Sequence, residues 1–169
     1  MLRASFDQQL AQIAPFFIYL LLFTAMYVEN GIMLGFFLPG DSLLFSAGLV
    51  ASSHKSINIG LLCLVVFLGA FIGDQTGYVI GRKYGRPYLD RKSSPRLDRY
   101  IARAERFYEQ SGWWAVVAAR YFPWIRTFVP PIAGAAKMPY YKFLTANAVG
   151  ALLWSVLITL AGYYSANIP

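Results

Sequence analysis

Residues Ala119–Gly134 read ARYFPWIRTFVPPIAG: two arginines, Arg120 and Arg126, and three prolines, Pro123, Pro130 and Pro131, set in apolar and aromatic sequence. An arginine at the centre of a spanning helix costs about 2.5–3.5 kcal/mol on insertion scales. Two of them facing lipid would cost about 5–7 kcal/mol. Proline removes a backbone donor and breaks a helix. Broken backbone at membrane depth is stable only where protein buries it or where it lines a polar cavity. On an unbroken helix, residues six apart point about 120° away from each other, about 9 Å apart along the axis. A break at Pro123 lets both guanidiniums converge on one anionic group. The competing reading is that each arginine snorkels to the interface or pairs with a carboxylate.

Outward from this stretch, the whole chain has the composition of a membrane protein. Of its 169 residues 57% are hydrophobic, 17% aromatic and 14% charged, against about 25% charged in soluble domains; the mean hydropathy is +0.47. One membrane domain is expected, too short for a large transporter bundle and compatible with an internal repeat or a homo-oligomer. The net charge is +7, and nine of the fifteen Lys and Arg fall in Arg82–Arg106. In a membrane protein that marks a cytoplasmic loop facing anionic lipid, not a nucleic-acid site. Cys63 and His54 are each the sole residue of their type, so neither a metal centre nor a Ser-His-Asp site has a credible set of ligands, and no cofactor is expected.

Pro15–Val28 is apolar. It is read as an uncleaved first membrane helix, because Asp7 interrupts what would be a basic leader and no small-residue cleavage site follows. Glu29–Ala51, ENGIMLGFFLPGDSLLFSAGLVA, is long enough to span but carries two acids, Glu29 and Asp41, with Pro39-Gly40 directly before the second. Pro-Gly signals a turn. The expectation is a re-entrant pair of helical arms, with Asp41 at the tip and Glu29 near the mouth. Asp41 also suits the cap of a helix beginning at Ser42, and burial of a carboxylate favours its protonated form, as a proton-linked step requires.

Ile59–Gly81 is the clearest spanning helix, since about 20 residues cross the hydrocarbon core. Gly69, Gly73, Gly77, Gly81 and Gly85 recur every four residues. Such small-residue ladders let two helix backbones approach closely. Asp74 lies beside the ladder, either paired with an arginine of the second half or part of a proton-handling set. In Arg82–Gly112, Ser94-Pro95 opens a helix with Ser as N-cap and Pro at the first position. Leu97, Ile101, Ala104 and Tyr108 fall on one face and Arg96, Arg99, Arg103 and Arg106 on the rest. A basic amphipathic helix of this kind lies on a membrane surface. Trp113, Trp114 and Trp124 suit an interfacial belt. Phe143–Tyr164 is the last span, with Ala146 and Gly150 as contact residues, Asn147 as a buried polar group and Trp154 as a packing anchor.

The two halves, 16–81 and 113–165, share a pattern: a Pro-broken charged segment, a short loop, an intact span. With Arg82–Gly112 and Lys137–Lys142 cytoplasmic by the positive-inside rule, the halves run in opposite directions. The expected fold is therefore all-α, a polytopic membrane protein with two re-entrant broken-helix hairpins in an inverted-topology repeat. Paired broken helices point to a transporter site near the midplane. Arg120 and Arg126 are the candidate ligands for an anionic substrate group. Glu29, Asp41 and Asp74 are the candidate proton-coupling acids.

Three runs, ENGIMLGFFLPGD, GAFIGDQTGYVIGRKYG and ARYFPWIRTFVPPIAGAAKMPYYKFLTANAVGALLW, resemble the signatures of the DedA family, also called SNARE-associated or VTT-domain proteins. The resemblance covers roughly Phe16 to Tyr164. It implies a multi-pass protein of the bacterial plasma membrane that moves undecaprenyl phosphate or a related phospholipid between leaflets, coupled to the proton-motive force. It also implies that Glu29, Asp41, Arg120 and Arg126 are essential. A proton-coupled antiporter of small ions or drugs is the alternative, disfavoured by two arginines at the site. An enzyme would need a nucleophile, and Ser42 beside Asp41 has no histidine partner; no enzymatic activity is expected.

Overall fold

A computed structural model describes residues 2–31, 40–54, 56–92 and 94–166, with backbone alone for 2–12 and 124. Among these the protein is all-helical. α1 spans Leu2–Gly31, α2 Gly40–Ser53 and α3 Ile59–Ile80, which continues through a π-helical turn, Gly81–Gly85, into α4, Arg86–Arg91. There follow α5 (Pro95–Gln110), α6 (Gly112–Ala119), α7 (Pro123–Arg126), α8 (Val129–Ala135) and α9 (Tyr140–Ser165). Three stretches are long and apolar enough to cross a membrane: Ile13–Gly31, Ile59–Arg91 and Tyr140–Ser165. Their outward residues, among them Phe16, Phe17 and Leu21 on α1, Leu64 and Val79 on α3, and Leu153 and Leu157 on α9, are exposed and apolar, as a lipid-facing surface requires.

Two boundaries differ from expectation. Glu29 does not begin a separate segment; α1 carries it to Gly31. The helix tolerates its polar end because Asn30 bonds back to the Met26 carbonyl at 2.8 Å and Glu29 finds a cation inside the protein. The span beginning at Ile59 does not stop at Gly81 either. Its backbone widens there, with the Arg86 N–H donating to the Gly81 carbonyl, and Pro87, which has no N–H to donate, follows within the continuing helix. The expected Pro-Gly turn between Glu29 and Asp41 falls on residues 32–39, outside the described residues, apart from Gly40, which opens α2.

The glycine ladder does what close packing predicts, against two different partners. A Cβ at Gly69 would lie 2.7 Å from the Phe23 carbonyl oxygen, and one at Gly73 2.8 Å from that of Tyr27, so this part of α3 is pressed onto α1. Further along, a Cβ at Gly81 would overlap the Pro131 carbonyl, and one at Gly134 the Tyr78 carbonyl, so α8 lies against the end of α3. The same arrangement joins α2 to α9: Gly48 faces the Thr159 carbonyl and Gly162 that of Phe45. Gly150 of α9 meets the Val117 backbone of α6. The first core gathers Leu22, Met26, Leu44, Leu62, Val66, Ala70 and, from α9, Trp154. The second gathers Tyr78, Val116, Val117, Ala133, Met138, Phe143 and Ala146.

α5 starts as the sequence predicts, with Ser94 accepting from the Leu97 N–H at 3.2 Å. Its arginine face is exposed, and Leu97, Ile101, Ala104 and Tyr108 turn inward. Of that apolar stripe, Tyr108 and Ala104 pack into the second core. Ile101 and Ala104 share a cavity of ≈ 120 Å³ with Leu89 of α4, Ile132 and Ala135 of α8, and Ala136. Arg86 links α4 to α5 by pairing with Glu105, and pairs within its own helix with Asp90 at 2.9 Å.

Candidate functional site

The break in Ala119–Gly134 is built from two local rules. As α6 ends, its hydrogen bonds tighten to three-residue spacing: Arg120, Tyr121 and Phe122 donate to Val117, Ala118 and Ala119 at 3.1–3.3 Å. Phe122 is then forced into an extended conformation (φ −112°, ψ 105°) by the proline after it. Pro123 restarts the chain as the first residue of α7, where a missing N–H costs nothing. The result turns both arginines inward: Arg120 is 3% exposed and Arg126 4%.

Each guanidinium takes different acids. Arg126 donates from Nη2 to Glu29 Oε1 and from Nη1 to Asp41 Oδ1, both at 2.6 Å. α7 is thus clasped to the end of α1 and the start of α2. Arg120 pairs with Asp74 of α3 and donates to Asn147 Oδ1 of α9 at 3.0 Å. The Asn147 amide in turn donates to the Phe71 carbonyl at 3.2 Å. Glu29 (1%) and Asp74 (0%) are sealed, whereas the Asp41 side chain is 37% exposed. Three acids against two arginines leave a formal charge of −1 when all are ionised, and Asp41 is the member in contact with the outside. A cavity of ≈ 10 Å³, about enough for one water, lies among Asp74, Arg120, Arg126, Asn147 and Pro130.

The structure therefore brings all five sequence-predicted residues into two adjoining clusters, but it corrects two particulars. The arginines do not share one anionic partner in this conformation; each has its own carboxylates. Glu29 is not near a mouth, twelve residues' length from Asp41. It lies directly against Gly40, where any Cβ would overlap its carboxylate. Asp74 takes the paired reading, as the partner of Arg120.

Two further residues were not assigned to the site from sequence. Asn147 was read only as a buried polar group, yet it supplies the acceptor for Arg120. Trp154 was read as a packing anchor, yet its ring lies 4.5 Å from Arg126 Cζ and 5.7 Å from Arg120 Cζ. Their spacing of seven residues, two helical turns, already put both on one face of α9, and that face also carries the contact glycine Gly150.

The fold and the buried charges describe a multi-pass helical membrane protein organised around an intramembrane polar centre. Residues 38–164 match the model of the VTT domain. The chain is 38% identical over 154 residues to Protein DedA of Escherichia coli strain K12, covering 90% of this chain and 70% of that one. It is 40% identical over 146 residues to an uncharacterized membrane protein of Mycobacterium leprae, with 85% and 64% covered. It is 36% identical over 162 residues to an uncharacterized membrane protein of Mycobacterium bovis, with 92% and 72% covered. The chain belongs to the DedA family of VTT-domain membrane proteins. No solved structure matches it.

Proposed function

We propose that this protein carries a lipid phosphate, undecaprenyl phosphate or a related phospholipid, between leaflets, with protons exchanged at Glu29 and Asp41. The observation that carries the reading is the pairing of Arg126. A guanidinium is buried in a membrane protein between two protonatable acids, one of which is partly exposed at the protein surface. Phosphate and carboxylate oxygens compete for the same in-plane donors. Protonation of Asp41 from its exposed side, then of Glu29, frees Nη1 and Nη2; a phosphate headgroup takes them; loss of the protons expels it. The cavity of ≈ 10 Å³ is too small for a phosphate, and on this reading the self-paired arrangement is the closed stage of the cycle. The acids and arginines make a carrier cycle the better reading than an enzymatic one, and the two guanidiniums disfavour a cationic substrate.

The transport reading includes two re-entrant hairpins in an inverted repeat, for which the helix contacts give support. α2 meets α9 through Gly48, Gly162 and the Phe45 and Thr159 carbonyls; α8 meets α3 through Gly134, Gly81 and the Pro131 and Tyr78 carbonyls. Gly69 against Phe23 of α1 likewise corresponds to Gly150 against Val117 of α6. Each half thus lays its second arm on the other half's spanning helix, as a two-fold relation between halves requires.

The test is translocation in reconstituted vesicles. The wild-type protein is expected to move undecaprenyl phosphate across the bilayer, and Arg126→Ala to abolish it. Equal rates for the two would reject the proposal, and a pH gradient discharged by a cation instead would favour the antiporter.

A further inference from the structure

Trp154 is 2% exposed and belongs to the core of the first half, although α9 supplies it. Both buried guanidiniums lie over its ring, Arg126 Cζ at 4.5 Å from the centroid and Arg120 Cζ at 5.7 Å, within the roughly 6 Å over which the π face attracts a cation. The other groups that hold Arg126, the Glu29 and Asp41 carboxylates, bind its N–H donors in the guanidinium plane and are lost when a proton or a competing anion arrives. An indole face has neither property. It cannot be protonated, and it attracts the cation without occupying an N–H.

We propose that Trp154 is a positioning residue for the anion site: a neutral platform that retains Arg126, and more weakly Arg120, while the carboxylates are exchanged for a phosphate. Without it, a freed guanidinium on its long, flexible stem moves toward the interface instead of waiting at the site. The indole thereby converts two mutually repelling arginines into one fixed anion receptor. The role of phosphate here rests on the lipid-phosphate reading above; the platform itself rests on the ring geometry.

The experiment uses the full chain with Trp113, Trp114 and Trp124 replaced by Phe, so that Trp154 is the only indole. Glu29→Gln and Asp41→Asn are then added, so that removing Arg126 strands no charge. In that background, Arg126→Gln is expected to raise and shift the Trp154 emission. The effect of Arg120→Gln, made together with Asp74→Asn, is expected to be smaller, following the two distances. In the chain with its acids intact, titration with dodecyl phosphate is expected to bind within about threefold of the parent for Trp154→Phe and at least about tenfold more weakly for Trp154→Leu. Tenfold corresponds to about 1.4 kcal/mol, within the range of a desolvated cation–π contact. Rescue by Phe but not Leu separates the π face from mere volume. Emission that does not answer to Arg126→Gln overturns the platform, as does a Trp154→Leu protein that binds like the parent. A parent that binds no dodecyl phosphate, while its emission still answers to Arg126→Gln, contradicts the lipid-phosphate reading and upholds the platform.

Discussion

At the scale of single residues, the two arginines have different companions and are expected to fail differently. Arg120 and Asp74 form a sealed pair. Removing one partner of a buried pair costs about 3–5 kcal/mol, whereas replacing both by apolar residues of similar size is far better tolerated. Asp74→Leu and Arg120→Met are each expected to lower the melting temperature in detergent markedly, and the double variant to recover most of the loss. Additive losses would show that the two side chains do not interact. Around Arg126 the contrast is with Asp41, which is partly exposed at the protein surface. Asp41→Asn is expected to leave melting within about 1 kcal/mol of wild type, the range for exposed pairs, while weakening the pH dependence of transport and leaving the part due to Glu29. The five charged residues were legible in the sequence because charge inside apolar sequence is conspicuous. Their pairing was not, because Arg126 meets Glu29 and Asp41 across 97 and 85 residues of chain, and no local spacing encodes that.

At the scale of elements, the glycine ladder was legible as a demand for close packing, but not as a division between two partners. The structure divides it, and the division is testable. At Gly81 a Cβ would overlap the Pro131 carbonyl, which is backbone and cannot turn aside; at Gly85 a Cβ would meet only the Ala135 methyl at 3.4 Å. Gly81→Ala is expected to destabilise by about 1–3 kcal/mol through overpacking, and Gly85→Ala to be neutral or slightly stabilising through helix propensity. Melting curves of the two variants check this; equal behaviour would contradict the described approach of α8 to α3. The break in Ala119–Gly134 was legible because the restriction on Phe122 before Pro123 is local. The extent of α1 and of the helix beyond Ile80 was not. Their ends are set by tertiary partners: the cation that Glu29 finds, and the Glu105 carboxylate of α5 that Arg86 reaches.

At the scale of the whole molecule, the positive-inside rule puts the exposed α5 arginines and Lys137–Lys142 in the cytoplasm, and the loop after α2 on the other side. In a Cys63→Ser background, a membrane-impermeant thiol reagent added outside is expected to label Ser56→Cys but not Arg103→Cys; the reverse pattern would invert the whole assignment. An expected direction for the halves, which the labelling experiment tests, could be read from the distribution of Lys and Arg, since charge bias is a global property. The packing of Tyr108 and Ala104 of α5 into the second core could not, because a stripe facing lipid and one facing protein have the same pattern. The central claim is that an anionic headgroup and protons exchange for one another at Arg126. It is tested most directly by titrating wild type and the Glu29→Gln, Asp41→Asn variant with undecaprenyl phosphate, in buffers of different ionisation enthalpy, to count protons. Carboxylates that give up their guanidinium take up a proton. The wild type is therefore predicted to absorb about two protons per headgroup more than the variant, one for each carboxylate that gives up Arg126, and equal proton counts would contradict the account.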